Sequence, residues 1–395
     1  MSLSNGSTYL AIPGPSVMPD RVLRAMHRPA PNIYTGELHE LTHSLIPDLK
    51  AVARTNGDVA IYIANGHGVW EAALCNVLSR GDKVLVLSTG RFGIGWSEMA
   101  EGLHLDVELM HFGEANPIEL DRVETRLRED QAGEIKAVLV CHVDTSSSRK
   151  SDFKSIRATM DACGHGALLM ADCIASMGCD RFEMDAWGVD VTLAASQKGL
   201  MTPPGIGFVW FNEKADRFRE TADLASRYWD WRPRAKPEEY YQYFDGTAPT
   251  HHLYGLREAL DMIAEEGLEQ IWERHSVLAH ALWTAVDVWG NGGTMRLNIQ
   301  EPIARSHAVT SIFLRSPDAD RLRAWCEFQA GLTLGIGLGR TPSDAWFRVG
   351  HMGHVNAQMM MAVLGTMDAG LKALDIPHGS GAVEAAARIV AGQQA

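Results

Sequence analysis

The sequence predicts an α/β protein: a large, mainly parallel seven-stranded sheet domain followed by a smaller α+β domain at the C-terminal end. Three observations carry that expectation. Short apolar, β-branched runs alternate with helical patterns between residues 59 and 212. Most of these runs are apolar at successive positions, so both faces of each strand must be covered. Beyond residue 294 the strand and helix patterns no longer alternate in this way.

Strand-like runs occur at 59–64, 83–88, 106–112, 136–142, 167–172, 190–195 and 206–211. Helical patterns at 69–78, 95–103, 120–129 and 152–163 lie between them. Strand and helix in alternation require right-handed crossovers, hence a mainly parallel sheet. The pattern then breaks at 224–249 into aromatic and charged residues (LASRYWDWRPRAKPEEYYQYFDGTAP). A long irregular segment inside a compact domain usually serves function or an interface. A helical run at 250–289 follows, interrupted at Gly267. Strands at 294–299, 308–315, 332–337 and 345–349, with helices at 318–329 and 356–374, complete the smaller unit. The division expected is an N-terminal segment 1–20, a large domain 21–265 and a small domain 266–395.

The chain has 395 residues, 46% of them hydrophobic, and a formal net charge of -13. That charge argues against nucleic acid or an anionic membrane surface as partner, because both demand a basic face. No run of 18 apolar residues is present, so no spanning helix is expected. The first residues lack the basic flank and apolar stretch of a secretory signal. Six scattered cysteines without a CxxC pair read as buried thiols in a reducing compartment. A soluble, cytoplasmic protein is expected.

Ligands on parallel sheets bind outside the carboxyl ends of the strands. After the first strand, Asn65-Gly66-His67-Gly68 leads into a helix expected to begin near Val69. Glycines permit close backbone approach, and unpaired N–H groups at a helix start attract phosphate. No G-x-G-x-x-G is present, so a dinucleotide fold is unsupported. The run 167–172 ends in Asp172, a buried carboxylate that must pair with a cation or be protonated. The run 190–195 leads into Ser196-Gln197-Lys198. A lysine just past a buried strand loses charge stabilisation, and a lowered amine pKa is what Schiff-base chemistry requires. A phosphate loop, a strand-end Asp and a strand-end Lys together describe a pyridoxal 5'-phosphate site. The phosphate sits on the helix start, the carboxylate on the pyridinium nitrogen and the amine on the aldehyde.

The segments holding these residues resemble the class V, fold-type I pyridoxal phosphate aminotransferases, in the subgroup of serine-, alanine- and aspartate–glyoxylate aminotransferases. The resemblance runs from Ile12-Pro13-Gly14-Pro15 to RVGHMG, and its most specific pieces include GHGVWEAALCNVLSRGDKVL, SQKGLMTPPG and LYGLREALDMIAEEGLE. It implies that Lys198 carries the cofactor and shifts the proton at the substrate Cα, while Asp172 keeps the ring nitrogen protonated. It also implies that Asn65, Gly66, His67 and Gln197 line the phosphate site, that Phe92 stacks on the ring, and that Thr145 and Ile174 lie beside it. Arg348 would grip the substrate α-carboxylate as a bidentate fork, with Gly14 nearby. Thr247 would reach the phosphate of the neighbouring subunit, which implies a homodimer with shared sites. The implied reaction moves an amino group from a small L-amino acid (serine, alanine or aspartate) to glyoxylate in two half-reactions. A pyridoxamine–pyruvate aminotransferase-like enzyme and a class V lyase are the alternatives within the resemblance. Ala64-Asn65 stands where Ser or Thr is commoner before Gly66, and Phe244 where the resemblance would place a tyrosine reaching the phosphate. These departures leave the amino donor open.

One signal points elsewhere. His39-Glu40-Leu41-Thr42-His43 is the H-E-x-x-H pattern of zinc hydrolases. Leu38, Leu41, Leu45, Leu49 and Val52 nonetheless form the apolar stripe of an ordinary amphipathic helix, and no metal site is expected. The aromatic-basic stretch 227–232 reads as a subunit interface or active-site rim. Glu71 reads as a helix-cap or interface group. Arg340 and the pair Arg149-Lys150 read as solvated loop residues, although Arg340 is close enough in sequence to Arg348 to read a second acidic group on the donor.

Overall fold

The computed structural model describes residues 3–393. Its strands are β1 (Tyr9–Ala11), β2 (Asp58–Tyr62), β3 (Lys83–Ser88), β4 (Asp106–His111), β5 (Ile135–Cys141), β6 (Leu168–Asp172), β7 (Val191–Ala195) and β8 (Gly207–Phe211). Four more follow: β9 (Arg296–Leu297), β10 (Val309–Phe313), β11 (Leu332–Ile336) and β12 (Trp346–Gly350). A short hairpin, Val143–Asp144 with Arg149–Lys150, projects beyond β5.

β2 to β8 form one seven-stranded sheet in the order β2-β8-β7-β6-β5-β3-β4. β4, β3, β5, β6 and β7 run parallel, whereas β8 is antiparallel to both β2 and β7. The segment between β7 and β8 contains only turns, and a parallel return would need a longer crossover. Alternate residues of each strand enter opposite layers. Val59, Ile61, Leu85, Leu87, Val138 and Val140 pack with Leu45, Leu49 and Leu253. Ala60, Tyr62, Val84, Val86, Ala137 and Leu139 pack with Trp70, Trp96 and Ala100. Both faces are covered, as the continuous apolar runs require.

Two helices start earlier than the sequence pattern suggests, at Gly66 and Arg91. Apolar periodicity is blind to a glycine-rich first turn; side-chain caps set the boundary instead. Asn65 Oδ1 accepts from Gly68 N–H at 3.1 Å, a standard N-cap bond.

A second core lies around the helix Leu268–Gly290 and a five-stranded sheet in the order β1-β11-β12-β10-β9. β1 pairs in parallel with β11, so the N-terminal strand belongs to the C-terminal sheet. The helix Ala382–Val390, absent from the sequence reading, packs on Leu268–Gly290.

The irregular stretch 224–249 is pinned to the large sheet by a buried cation. Arg234 donates to Ile61 O and Tyr243 O, each at 3.0 Å, and to Tyr228 O at 2.7 Å. Tyr62 Oη donates to Trp229 O at 2.9 Å, and Trp229 Nε1 donates to Glu71 Oε1 at 3.0 Å.

Arg149 and Lys150 are not solvated, contrary to the sequence expectation. Arg149 pairs with Glu301 at 3.2 Å, and Lys150 lies 3.6 Å from the fully buried Asp180. Asp180 also accepts from Ser306 Oγ at 2.7 Å and His307 N–H at 2.9 Å. Burial opposes its ionisation, but Lys150, His307 and His142 prevail and hold its pKa at about 2. The hairpin thus ties the two cores together, a role that only tertiary neighbours reveal.

Phe347 on β12 is fully buried in the C-terminal core with Leu278, Leu282 and Val349. Phe347→Ala should cost about 3–5 kcal/mol of stability, read as a fall in the urea midpoint.

Candidate active site

Because β2 and β7 share a direction and flank β8, the carboxyl ends of β2 to β7 lie along one edge of the sheet. Asp172 closes β6, Lys198 follows β7, Asn65 to His67 follow β2, Phe92 follows β3 and Thr145 follows β5. The topology therefore gathers most of the sequence-predicted residues at one place.

Asp172 is 4% exposed. Its Oδ1 accepts from Ile174 N–H at 2.8 Å and its Oδ2 from Trp70 Nε1–H at 2.9 Å. Burial raises its pKa to about 6, against the pull of those two donors. Lys198 moves the other way: burial, reinforced by Arg348, lowers its pKa to about 8. Its Nζ donates to Pro13 O. Ser16 ties the same turn down, accepting nothing from Lys198 but donating its Oγ–H to Lys198 O at 2.7 Å and its N–H to Gln197 O at 2.9 Å. Gly14 has φ of +100°, and any Cβ at that position would fall onto the Lys198 ammonium. A glycine is therefore required beside the amine.

Gly66 and His67 occupy the first turn of the helix Gly66–Val77, where backbone N–H groups lack intrahelical acceptors. A Cβ on Gly66 would lie 2.6 Å from Ile174 Cδ1, so a side chain here would displace the end of Ile174. Gln197 Oε1 is buried and has no hydrogen-bond partner. An orphaned acceptor at this edge fits a site built to receive a hydrogen-bond donor, while the Nε2 end of the same amide is the one a phosphate would engage. Asn65 has spent its side-chain oxygen on the cap, leaving its amide nitrogen as the group available to a ligand.

Arg348 is 7% exposed; Nε donates to Ile336 O at 2.7 Å and Nη1 to Thr145 O at 3.0 Å. Burial lowers its pKa to about 10, still cationic at neutral pH. These two bonds fix the guanidinium and leave Nη2 for an incoming carboxylate. Thr247, by contrast, is exposed on the surface of the single chain and makes no hydrogen bond to these groups.

Two residues that the sequence reading did not single out organise the site. Trp70 stands four positions into the helix Gly66–Val77, donates to Asp172, and meets the rings of His67 at 4.7 Å and Phe92 at 6.3 Å edge-on. Asp144, fully buried, accepts from Phe92 N–H at 2.8 Å, Gly93 N–H at 3.1 Å and Ser146 Oγ–H at 2.6 Å. It caps the helix Arg91–Gly102 and so orients Phe92. The signal available was a strand-end His-Val-Asp-Thr, which reads equally well as a turn.

The H-E-x-x-H histidines are engaged in packing. His39 stacks on Tyr240 at 3.6 Å with Nε2 at 3.1 Å from Ile33 O, and His43 tilts against Tyr243 at 5.7 Å. Among the described residues no group of three His, Cys, Asp or Glu side chains is placed to hold a metal ion.

The profile of aminotransferase class-V matches residues 8–338, a span that includes the Asp172 and Lys198 strand ends. The chain belongs to the class-V aminotransferase family. It is 37% identical to serine–glyoxylate aminotransferase of Methylorubrum extorquens, over 96% of this chain and 95% of that protein. It is 33% identical to L-aspartate–glyoxylate aminotransferase of Paracoccus denitrificans, over 95% and 94% of the two chains. Ureidoglycine–glyoxylate aminotransferase of Bacillus subtilis superimposes with a TM-score of 0.89 at 23% identity, covering 99% of this aminotransferase and 100% of that chain, which establishes the fold. The mainly parallel sheet and smaller C-terminal unit are those of fold-type I aminotransferases.

Trp70→Phe keeps the ring and removes the donor to Asp172. The carboxyl pKa should rise further and affinity for a cationic ring ligand fall about tenfold or more, measured by equilibrium titration, as expected for one hydrogen bond to a charged group. Reductive methylation of Lys198 by formaldehyde should titrate with a midpoint near pH 8, since the neutral amine is the nucleophile; a midpoint at the ordinary lysine value of 10.5 would contradict the burial argument.

Proposed function

We propose that this aminotransferase uses pyridoxal 5'-phosphate to move the amino group of a small L-amino acid to glyoxylate in two half-reactions. The observation that carries the reading is the convergence of an amine with lowered pKa and a buried carboxylate, at adjacent strand ends of the large sheet, with a fixed guanidinium presented by β12 of the C-terminal sheet. The kinship with serine–glyoxylate and L-aspartate–glyoxylate aminotransferases supports glyoxylate as acceptor.

Lys198 would hold the cofactor's aldehyde carbon, Asp172 its ring nitrogen, and Asn65, Gly66, His67 and Gln197 its phosphate, with Phe92, Thr145 and Ile174 around the ring. Bound pyridoxal phosphate supplies an electron-poor ring that accepts the electron pair released when the substrate Cα–H bond breaks. Asp172 is the counter-charge for a protonated ring nitrogen: a cation beside it favours its ionised form and offsets the burial that raises its pKa. Arg348 anchors the substrate α-carboxylate, and Gly14 leaves room beside the amine. Lys198 Nζ, its pKa lowered to about 8 by burial, would take the proton from the substrate Cα once released from the aldehyde, and deliver it to the former aldehyde carbon. The exposed Thr247 supports a homodimer in which each subunit completes its partner's phosphate site. Six free cysteines, five of them buried, support a reducing compartment such as the cytoplasm. Among the described residues no helix is long and apolar enough to cross a membrane.

The test is the visible spectrum of the protein with pyridoxal phosphate, followed by separate additions of L-serine, L-alanine and L-aspartate. A yellow band that at least one donor bleaches and glyoxylate restores is expected. Lys198→Ala should abolish both changes. A protein that stays colourless with added pyridoxal phosphate would refute the assignment.

A further inference from the structure

The loop between β11 and β12 carries an arginine that the proposed reaction leaves without a task. The sequence suggested a solvated side chain, but Arg340 is only 9% exposed. Its guanidinium lies 4.3 Å over the Trp346 ring, and Nη1 pairs with Glu114 Oε2 at 2.5 Å. Nε and Nη2 are buried and have no hydrogen-bond partner. Those two N–H groups form one side-on edge of the guanidinium plane, the edge whose parallel donors match both oxygens of a carboxylate. Leaving such donors buried and unmatched is costly, and a native structure retains them where a ligand or a mechanism uses them.

The position of this edge is set by the strand that presents Arg348. Trp346 and Arg348 are two apart on β12 and share one face, while Phe347 between them points into the C-terminal core. Arg340 stacks on Trp346, so it lies on the Arg348 side. A Cβ on the neighbouring Gly339 would lie 3.1 Å from Arg91 Cβ and 3.8 Å from Ser146 Cβ. Ser146 Oγ accepts from Arg91 N–H at 2.8 Å, next to Phe92, and its other neighbour Thr145 holds Arg348 through its carbonyl. The loop therefore lies against the Phe92–Asp144–Thr145 wall of the same cleft. The positive charge of Arg340 also reaches Arg348 and helps lower its pKa. Glu114 comes from the loop after β4 at the same sheet edge, and it leaves Nε and Nη2 free by pairing with Nη1 alone.

We propose that Arg340 determines donor specificity: its Nε–Nη2 edge binds the distal carboxylate of a short dicarboxylic L-amino acid, such as L-aspartate, whose α-carboxylate is held by Arg348. The hydroxyl of serine offers a single acceptor atom and the methyl of alanine none, so neither satisfies both donors. A site built to hydrogen-bond a substrate group discriminates strongly against analogues lacking it. Because the edge is sealed from water in this conformation, entry of the carboxylate requires the loop 337–342 to open. The inference rests on the transamination reading for its kinetic arm and stands apart from it in its binding arm.

Two variants test it in the pyridoxal phosphate-loaded protein. Arg340→Gln removes the fork, and Arg340→Lys keeps the charge and an ion pair with Glu114 without the side-on geometry. For both, the ratio of kcat/KM for L-aspartate to that for L-alanine should fall about 100-fold, a loss typical of truncating one partner of a buried charge pair. Calorimetric affinity for succinate, which carries two carboxylates and no amine, should fall by a similar factor, while the affinity for propionate changes much less. An unchanged donor ratio together with unchanged succinate binding would overturn the proposal, and so would an equal loss for succinate and propionate, which would assign Arg340 to clamping the loop on Glu114. If no amino acid bleaches the wild-type spectrum, the transamination reading fails by itself, and succinate binding to wild type and variants still decides the role of Arg340.

Discussion

The whole site depends on burying an acid and an amine at neighbouring ends of a parallel sheet. β6 and β7 are covered on both faces, so Asp172 and Lys198 emerge from a nonpolar interior with little water to solvate them. Burial disfavours charge on each: the carboxyl moves up to about 6 and the amine down to about 8. The same desolvation that makes the amine a usable nucleophile makes the carboxylate a strong partner for any cation placed beside it. Neither shift would survive at the exposed end of a hairpin.

Holding two such groups requires supports that do not themselves react. Trp70 and the Ile174 N–H fix the Asp172 carboxylate, Pro13 O and Ser16 hold the lysine turn, and two backbone carbonyls fix Arg348. The N-terminal segment has a double part in this, since β1 joins the C-terminal sheet while Gly14 and Ser16 reach the lysine turn. It spans both cores and couples the position of Lys198 to that of Arg348. Asp180 performs a comparable service farther out, joining Lys150 of the large unit to Ser306 and His307 of the small one.

The cleft wall has a further electrostatic pattern. Arg348 is fully occupied on two nitrogens and stays cationic, while Arg340 is neutralised at one end by Glu114 and unmatched at the other. Two guanidinium groups on one face of a sheet repel each other, a cost offset by Asp144, which attracts both, and by Glu114, which pairs with Arg340. Arg340 thus keeps two buried donors for an acceptor that its neighbours do not provide.

The sequence by itself determined the strands of the large sheet, because short, β-branched apolar runs set between helical patterns are too short for buried helices; the runs' edges fall within a residue or two of β2 to β8. It also singled out Asp172 and Lys198 as candidates, since an acid and an amine at the ends of such runs are unusual enough to be noticed. The glycine-rich helix start at Asn65–Gly68 was legible as a candidate anion loop, whereas Arg348 came from resemblance alone. Periodicity did not locate the true start of the helix Gly66–Val77, because the cap bond of Asn65 and not apolar spacing sets it. It did not show the pairing of β1 with β11, which joins residues far apart in the chain through three backbone positions. Trp70, Asp144, Arg149 and Arg340 look like ordinary helix or loop residues in one dimension. Whether an arginine is solvated or buried, and which acceptors it finds there, depends on neighbours contributed by distant segments, and only the folded chain brings those together.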